Sequence, residues 1–115
     1  MIELPFPHKI LWPNGRTKNT RWKATEVRKH KQWAHDAAKA YLSRFDVSAS
    51  PSRLVFTIRP KPRGPMPDKD NGSAAMKAYQ DGIAAALGIN DATLGEPRIL
   101  FGDRHPLGAV IVEVE

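Results

Sequence analysis

Between residues 60 and 67 the chain carries Pro60, Pro62, Pro65 and Pro67 around Gly64. Each proline fixes φ and removes a backbone donor, so this run can continue neither a helix nor a central strand. It forces an extended, exposed loop, and the 115 residues must fold around that break. Immediately before it, Arg53–Arg59 (Arg-Leu-Val-Phe-Thr-Ile-Arg) reads as the clearest strand, rich in β-branched and aromatic residues. After it, the spacing predicts a helix over 71–87, closed by Gly88 in the position that favours glycine.

The remaining elements follow from local pattern. Ile2–Phe6 reads as a short first strand interrupted by Pro5, and Pro13-Asn14-Gly15-Arg16 as a turn. Asn19 or Thr20 caps a long helix to about Phe45. Its Trp33, Ala34, Ala37, Ala38, Tyr41, Leu42 and Phe45 keep the 3–4 spacing of one buried face. Residues 48–52 form a linker, and Arg98–Phe101 and Ala109–Val114 read as a closing pair of strands around a turn at 103–108. The expectation is a single small α/β domain over 1–115, ordered strand-helix-strand-helix-strand-strand, with two helices against a small mixed sheet.

Charge divides at the same place. Residues 1–63 hold 14 Lys and Arg against 4 Asp and Glu, whereas residues 64–115 hold 4 against 8. A basic excess attracts nucleic acid phosphates or an anionic surface. A protein that merely coats DNA has no use for carboxylates beside the phosphates, but a metal-dependent nuclease needs them. There is no cysteine, which excludes disulfides, thiolate metal sites and cysteine nucleophiles. Apolar stretches are too short for a membrane span, and the N-terminus lacks the apolar run of a signal peptide, so a cytoplasmic protein without membrane contact is expected.

The carboxylates are ordered on the second predicted helix. At 100° per residue Asp70, Ala74, Lys77 and Asp81 share one face, while Met76, Tyr79, Ile83, Ala86 and Leu87 share the opposite, core-facing one. Asp68 enters just before this helix and Asp91 follows Gly88. Oxygen ligands of this kind suit Mg²⁺ or Mn²⁺, and a neighbouring lysine suits a phosphate in transition. Each residue also has a plain structural use. Asp70 suits a helix N-cap, Lys77 and Asp81 an i,i+4 surface pair, and Asp91 a turn.

The stretch from Asp68-Lys69-Asp70-Asn71 through Lys77, Asp81-Gly82-Ile83 and Leu87-Gly88-Ile89-Asn90-Asp91 resembles the RusA family of Holliday junction resolvases, most of all its phage and prophage branch. The resemblance implies a small homodimeric α/β endonuclease, RusA-like in fold, that uses Mg²⁺ or Mn²⁺ and no small-molecule cofactor. Its partner is branched DNA, a four-way junction cut by paired symmetric nicks, in a bacterial host cell or from a phage-encoded gene. Asp68, Asp70 and Asp91 match the family's metal-holding catalytic aspartates, Lys77 its essential lysine, and Asp81 a supporting acidic position. Pro13-Asn14-Gly15-Arg16 resembles that branch's Pro-Asn-x-Arg. Three departures stand out: a longer gap before Lys77 than in the archetype, Asn90 where an acidic residue often stands, and Gly72 where a bulkier apolar residue is usual.

For DNA contacts the expected residues are Asn14, Arg16, Lys18, Arg21 and Lys23 around the start of the first helix, with Lys61, Arg63 and Lys69 leading into the aspartates. Among the tryptophans, Trp22 is the best placed to stack on a base, and Trp12 and Trp33 read as core. His8, His30, His35 and His105 form no recognisable ligand pair. Two alternatives stay open: a catalytically silent DNA-binding module, and a nuclease for other branched or single-stranded DNA on the same scaffold.

Overall fold

The computed structural model describes residues 1–12, 20–44, 53–63, 69–89 and 94–114. Its elements are β1 (Ile2–Pro5), a 3₁₀ turn (Lys9–Leu11), α1 (Thr20–Arg44), β2 (Leu54–Arg59), α2 (Lys69–Ala75), α3 (Lys77–Leu87), β3 (Arg98–Phe101) and β4 (Ala109–Val114). The result is a small α/β domain with three helices on a four-stranded mixed sheet. Among the described residues no helix is long and apolar enough to cross a membrane.

The sheet runs in the order β1-β4-β2-β3. β4 is antiparallel to both β1 and β2, and β2 is parallel to β3. This corrects the expectation that β3 and β4 close the fold as an adjacent pair, because β2 lies between them. Both strands form over the expected residues, but local composition says nothing about which neighbour a strand takes. In register, Ile2, Val112, Phe56 and Ile99 form one row, and Leu4, Val110, Ile58 and Phe101 form the next. Both rows lie on the covered face, with Phe56, Ile58, Val110 and Val112 fully buried.

The helical layer closes that face. Ala34 and Ala38 of α1 are buried against α3, and Met76, Tyr79 and Ile83 are buried on the face predicted for them. Trp33 departs from the predicted face, with 38% of its surface exposed. The expected single helix over 71–87 starts two residues earlier and is bent at Met76, whose ψ of −7° divides α2 from α3. Helical hydrogen bonds meet at Met76, from its N–H to the Gly72 carbonyl (3.0 Å) and from Gln80 N–H to its carbonyl (2.9 Å). Asp70 lies on α2, and Lys77 and Asp81 share one side of α3.

Close contacts with different partners bracket the bend. A Cβ on Gly72 would stand 3.1 Å from both Ile58 Cδ1 and Ile99 Cγ2, so the bare residue seats α2 directly on β2 and β3. A Cβ on Gly82 would overlap the Lys31 carbonyl of α1. Gly88 ends α3 at φ 72°, a left-handed conformation that glycine adopts without strain, and its N–H reaches the carbonyls of Ala84 and Ala85.

Two buried polar side chains tie α1 and α3 to β1 and the turn that follows it. The Tyr79 hydroxyl donates to the Pro5 carbonyl at 2.6 Å, and burial pushes its pKa well above the usual phenol value. It remains protonated and keeps its donor role. Tyr79→Phe leaves that carbonyl without its donor, and is expected to cost about 1–3 kcal/mol in denaturant melts while the fold persists.

His30 is 1% exposed and uses both ring nitrogens. Its Nε2 accepts from the His8 N–H at 3.1 Å, which leaves Nδ1 to donate to the Glu26 carbonyl at 2.7 Å. Burial holds its pKa below 6.5, outweighing the Glu26 carbonyl and carboxylate, which act in the opposite direction. The unfolded chain consequently takes up this proton first as pH falls. His30 stabilises the fold above its unfolded value of 6.5, and that contribution is lost as pH falls towards the lower folded value. The melting temperature is expected to drop on going from about pH 7.5 to about pH 5, with part of the slope absent in His30→Gln.

Candidate functional site

Strand direction sets where the candidate residues gather. β1, β2 and β3 all run the same way, so their C-terminal ends lie at one edge of the sheet. α1 leads from β1 to β2, and α2 with α3 leads from β2 to β3. Both helical segments accordingly begin at that edge, the usual place for ligand sites in open α/β sheets. Arg21 and Lys23 are exposed in the first turns of α1, and Asp70 is exposed in the first turn of α2. Lys69 opens α2. Lys61 and Arg63 are exposed on the segment leaving β2.

Lys77 and Asp81 meet one turn apart on α3. Lys77 Nζ lies 3.1 Å from Asp81 Oδ1, with the lysine largely exposed and the carboxylate three-quarters buried. That oxygen has no hydrogen-bond partner, so the lysine is close but off the hydrogen-bonding axis. Eleven residues separate Asp70 from Asp81, which is about 16 Å along a helix axis. Two carboxylates that far apart cannot share one ion whose ligand oxygens stand at about 2.1 Å. Asp81 is therefore placed to hold Lys77, and not to join Asp70 at a metal.

Beside Asp81 an open groove of about 650 Å³ runs between α1 and α3. Arg28, Lys31, Gln32 and His35 form its α1 wall, and Asp81, Gly82 and Ala85 belong to its α3 side. Gly82 brings the two backbones together at its floor. These three cationic or titratable α1 residues were absent from the expected DNA contacts. The signal was present in the sequence: positions 28, 31, 32 and 35 repeat at i, i+3, i+4 and i+7, a polar stripe distinct from that of Ala34 and Ala38.

Other expected residues fall differently. Asn14, Arg16 and Lys18, together with Asp68 and Asp91, lie outside the described residues. Among the described residues no group of three His, Cys, Asp or Glu is placed to hold a metal. Lys61 sits towards β1, its ammonium 5.7 Å from the Phe6 ring centroid. Trp22 is 41% exposed and meets the His8 ring edge-on, and Trp12 stacks on Phe6 at 5.4 Å.

No family model matches this chain, and no solved structure matches it. It is 30% identical over 114 residues to a protein of Xylella fastidiosa (strain Temecula1 / ATCC 700964) described as uncharacterized. The alignment covers 98% of this chain and 74% of that protein. The chain belongs to the same family as this Xylella protein.

Proposed function

We propose that this protein is a RusA-like endodeoxyribonuclease that uses Mg²⁺ or Mn²⁺ to resolve four-way DNA junctions by paired symmetric hydrolysis. One observation carries most of the weight. An exposed Asp70 stands where two helices begin at the C-terminal edge of parallel strands, the edge at which Arg21 and Lys23 are also exposed. Those are the parts that phosphodiester hydrolysis requires.

The donor set fits the ion in chemistry: Asp68, Asp70 and Asp91 are hard oxygen ligands, and the exposed Asp70 leaves space for water and phosphate. Those three aspartates would hold it. When bound, the ion supplies Lewis-acid polarisation of the phosphoryl oxygen and acidifies water. The protein's own residues do the rest. As substrate binds, Lys77 leaves the Asp81 carboxylate and offsets the extra negative charge that develops on the phosphorus oxygens. Arg21, Lys23, Arg28 and Lys31 bind flanking phosphates and set register without reading sequence.

Cutting two strands symmetrically needs two sites related by a two-fold axis, so the active form is a homodimer. A strictly monomeric mass at micromolar concentration, with junction resolution intact, would contradict this. A second possibility is a catalytically silent DNA-binding module, favoured by the Lys77–Asp81 pair, which has the geometry of an ordinary surface ion pair. Incubation with Mg²⁺ and a labelled four-way junction separates the two: nicks in the junction support the nuclease, and binding without cleavage supports the module.

A further inference from the structure

A second cavity, of about 310 Å³, lies on the other side of α1 from the groove and includes Phe6, His8, Glu26, Lys29, Trp33 and Lys61 in its lining. Its size is at the lower end of small-ligand sites. Phe6 and Trp33 give it two apolar aromatic walls; Trp33 is 38% exposed and is backed by the His30 ring at 4.6 Å. Lys29 Nζ lies 5.6 Å from the Trp33 ring centroid and Lys61 Nζ 5.7 Å from that of Phe6. The wall at His8 is held in place, because its backbone N–H is bonded to the buried His30.

Glu26 is the unusual member. It is only 6% exposed, and its Oε2 has no hydrogen-bond partner. Oε1 is paired with Lys29 Nζ at 3.2 Å. The His30 ring nitrogen 3.7 Å from Oε2 already donates to the Glu26 carbonyl. A buried carboxylate oxygen without a donor is costly, and a ligand that brings an N–H recovers that cost.

We propose that this cavity binds a single unpaired nucleobase whose hydrogen-bonding edge carries an amino group next to an acceptor, namely cytosine or adenine. The base stacks on Trp33, as bases do on exposed aromatic platforms. Its amino group donates to Glu26 Oε2, and Lys29, half-exposed and paired with Oε1, moves off the Trp33 ring face to donate to the adjacent ring nitrogen. Lys61 takes the phosphate. Thymine's one donor, N3–H, lies between two carbonyl oxygens, so aligning it with Oε2 turns a carbonyl towards the Glu26 carboxylate, and thymine binds more weakly. The proposal rests on DNA being the substrate, and it adds a base-selecting site on the opposite side of α1 from Asp81.

The test is NMR titration of the intact protein with dCMP, dAMP and TMP, following the Trp33 indole N–H. The expected result is a shift at Trp33 with dCMP or dAMP, whichever shape fits, and at least about tenfold weaker binding of TMP. E26Q, whose amide also donates, should erase the preference, and W33L should weaken all three nucleotides alike. Equal binding of TMP overturns the proposal, as does a shift confined to the His35 groove or none at all. The comparison among nucleotides on the natural chain stands whether or not either variant folds. Junction binding in the same preparation reports separately on the nuclease proposal.

Discussion

Asp70→Asn is expected to abolish junction cleavage, by about 10³-fold or more, while junction affinity is unchanged or tighter. The direction on binding follows from charge. Asp70 lies at the edge where Arg21 and Lys23 are also exposed, and a carboxylate there repels the phosphates those cations attract. The amide keeps the shape of the side chain but forfeits the anionic oxygen a divalent ion requires. Asp70 is exposed, so its replacement should leave the melting temperature nearly unchanged. A cleavage assay, a gel-shift measurement and a melt on the same preparation check all three. Full cleavage by the variant would remove Asp70 from the site.

The largest stability effect is expected at Gly82. On helix propensity alone, Gly82→Ala should stabilise α3 by about 1 kcal/mol. Packing reverses the sign. The new methyl would overlap the Lys31 carbonyl and come within 3.1 Å of the Ala34 side chain, and neither the α1 backbone nor its buried alanine can yield cheaply. Overpacking of this kind costs about 1–3 kcal/mol or more, so a net loss with a fall of about 5–10 °C in melting temperature is expected. Gly88→Ala is the informative contrast. Nothing lies within 4 Å of its Cβ position, so its penalty comes from the left-handed backbone alone, about 1 kcal/mol. If the two variants melt together, close approach of α1 and α3 is not what Gly82 provides.

These two positions also show what local sequence carries. The core face of α3 was legible because Met76, Tyr79 and Ile83 repeat at helical spacing, and β2 and β4 because they are rich in β-branched residues. Strand order was not legible. β2 is inserted between β3 and β4 by contacts distant in sequence, and no turn signal at 103–108 announces it. Burial of His30 and Glu26 was equally hidden, since both lie in a basic stretch that reads as a solvated face. Contacts distant in sequence, with the His8 backbone and the Tyr79 ring, place His30 inside. Trp33 was read as core from its spacing, yet it stands at the rim of a cavity formed by residues from three separate segments.

For the candidate site, helical periodicity predicted Asp70, Lys77 and Asp81 on one side; Lys77 and Asp81 do pair on α3, while Asp70 stands on the separate helix α2. Periodicity gives angle but not reach. Axial separation assigns Asp81 to Lys77 instead of to a shared ion, and the basic groove arises only where two helices meet.

The central claim is tested most directly by incubating the purified protein and Mg²⁺ with an end-labelled four-way junction and its matching linear duplex. Paired, symmetric nicks in the junction, with the duplex intact and no cutting in chelator, are the predicted result. Tight binding of the junction with no cleavage in either Mg²⁺ or Mn²⁺ would contradict it.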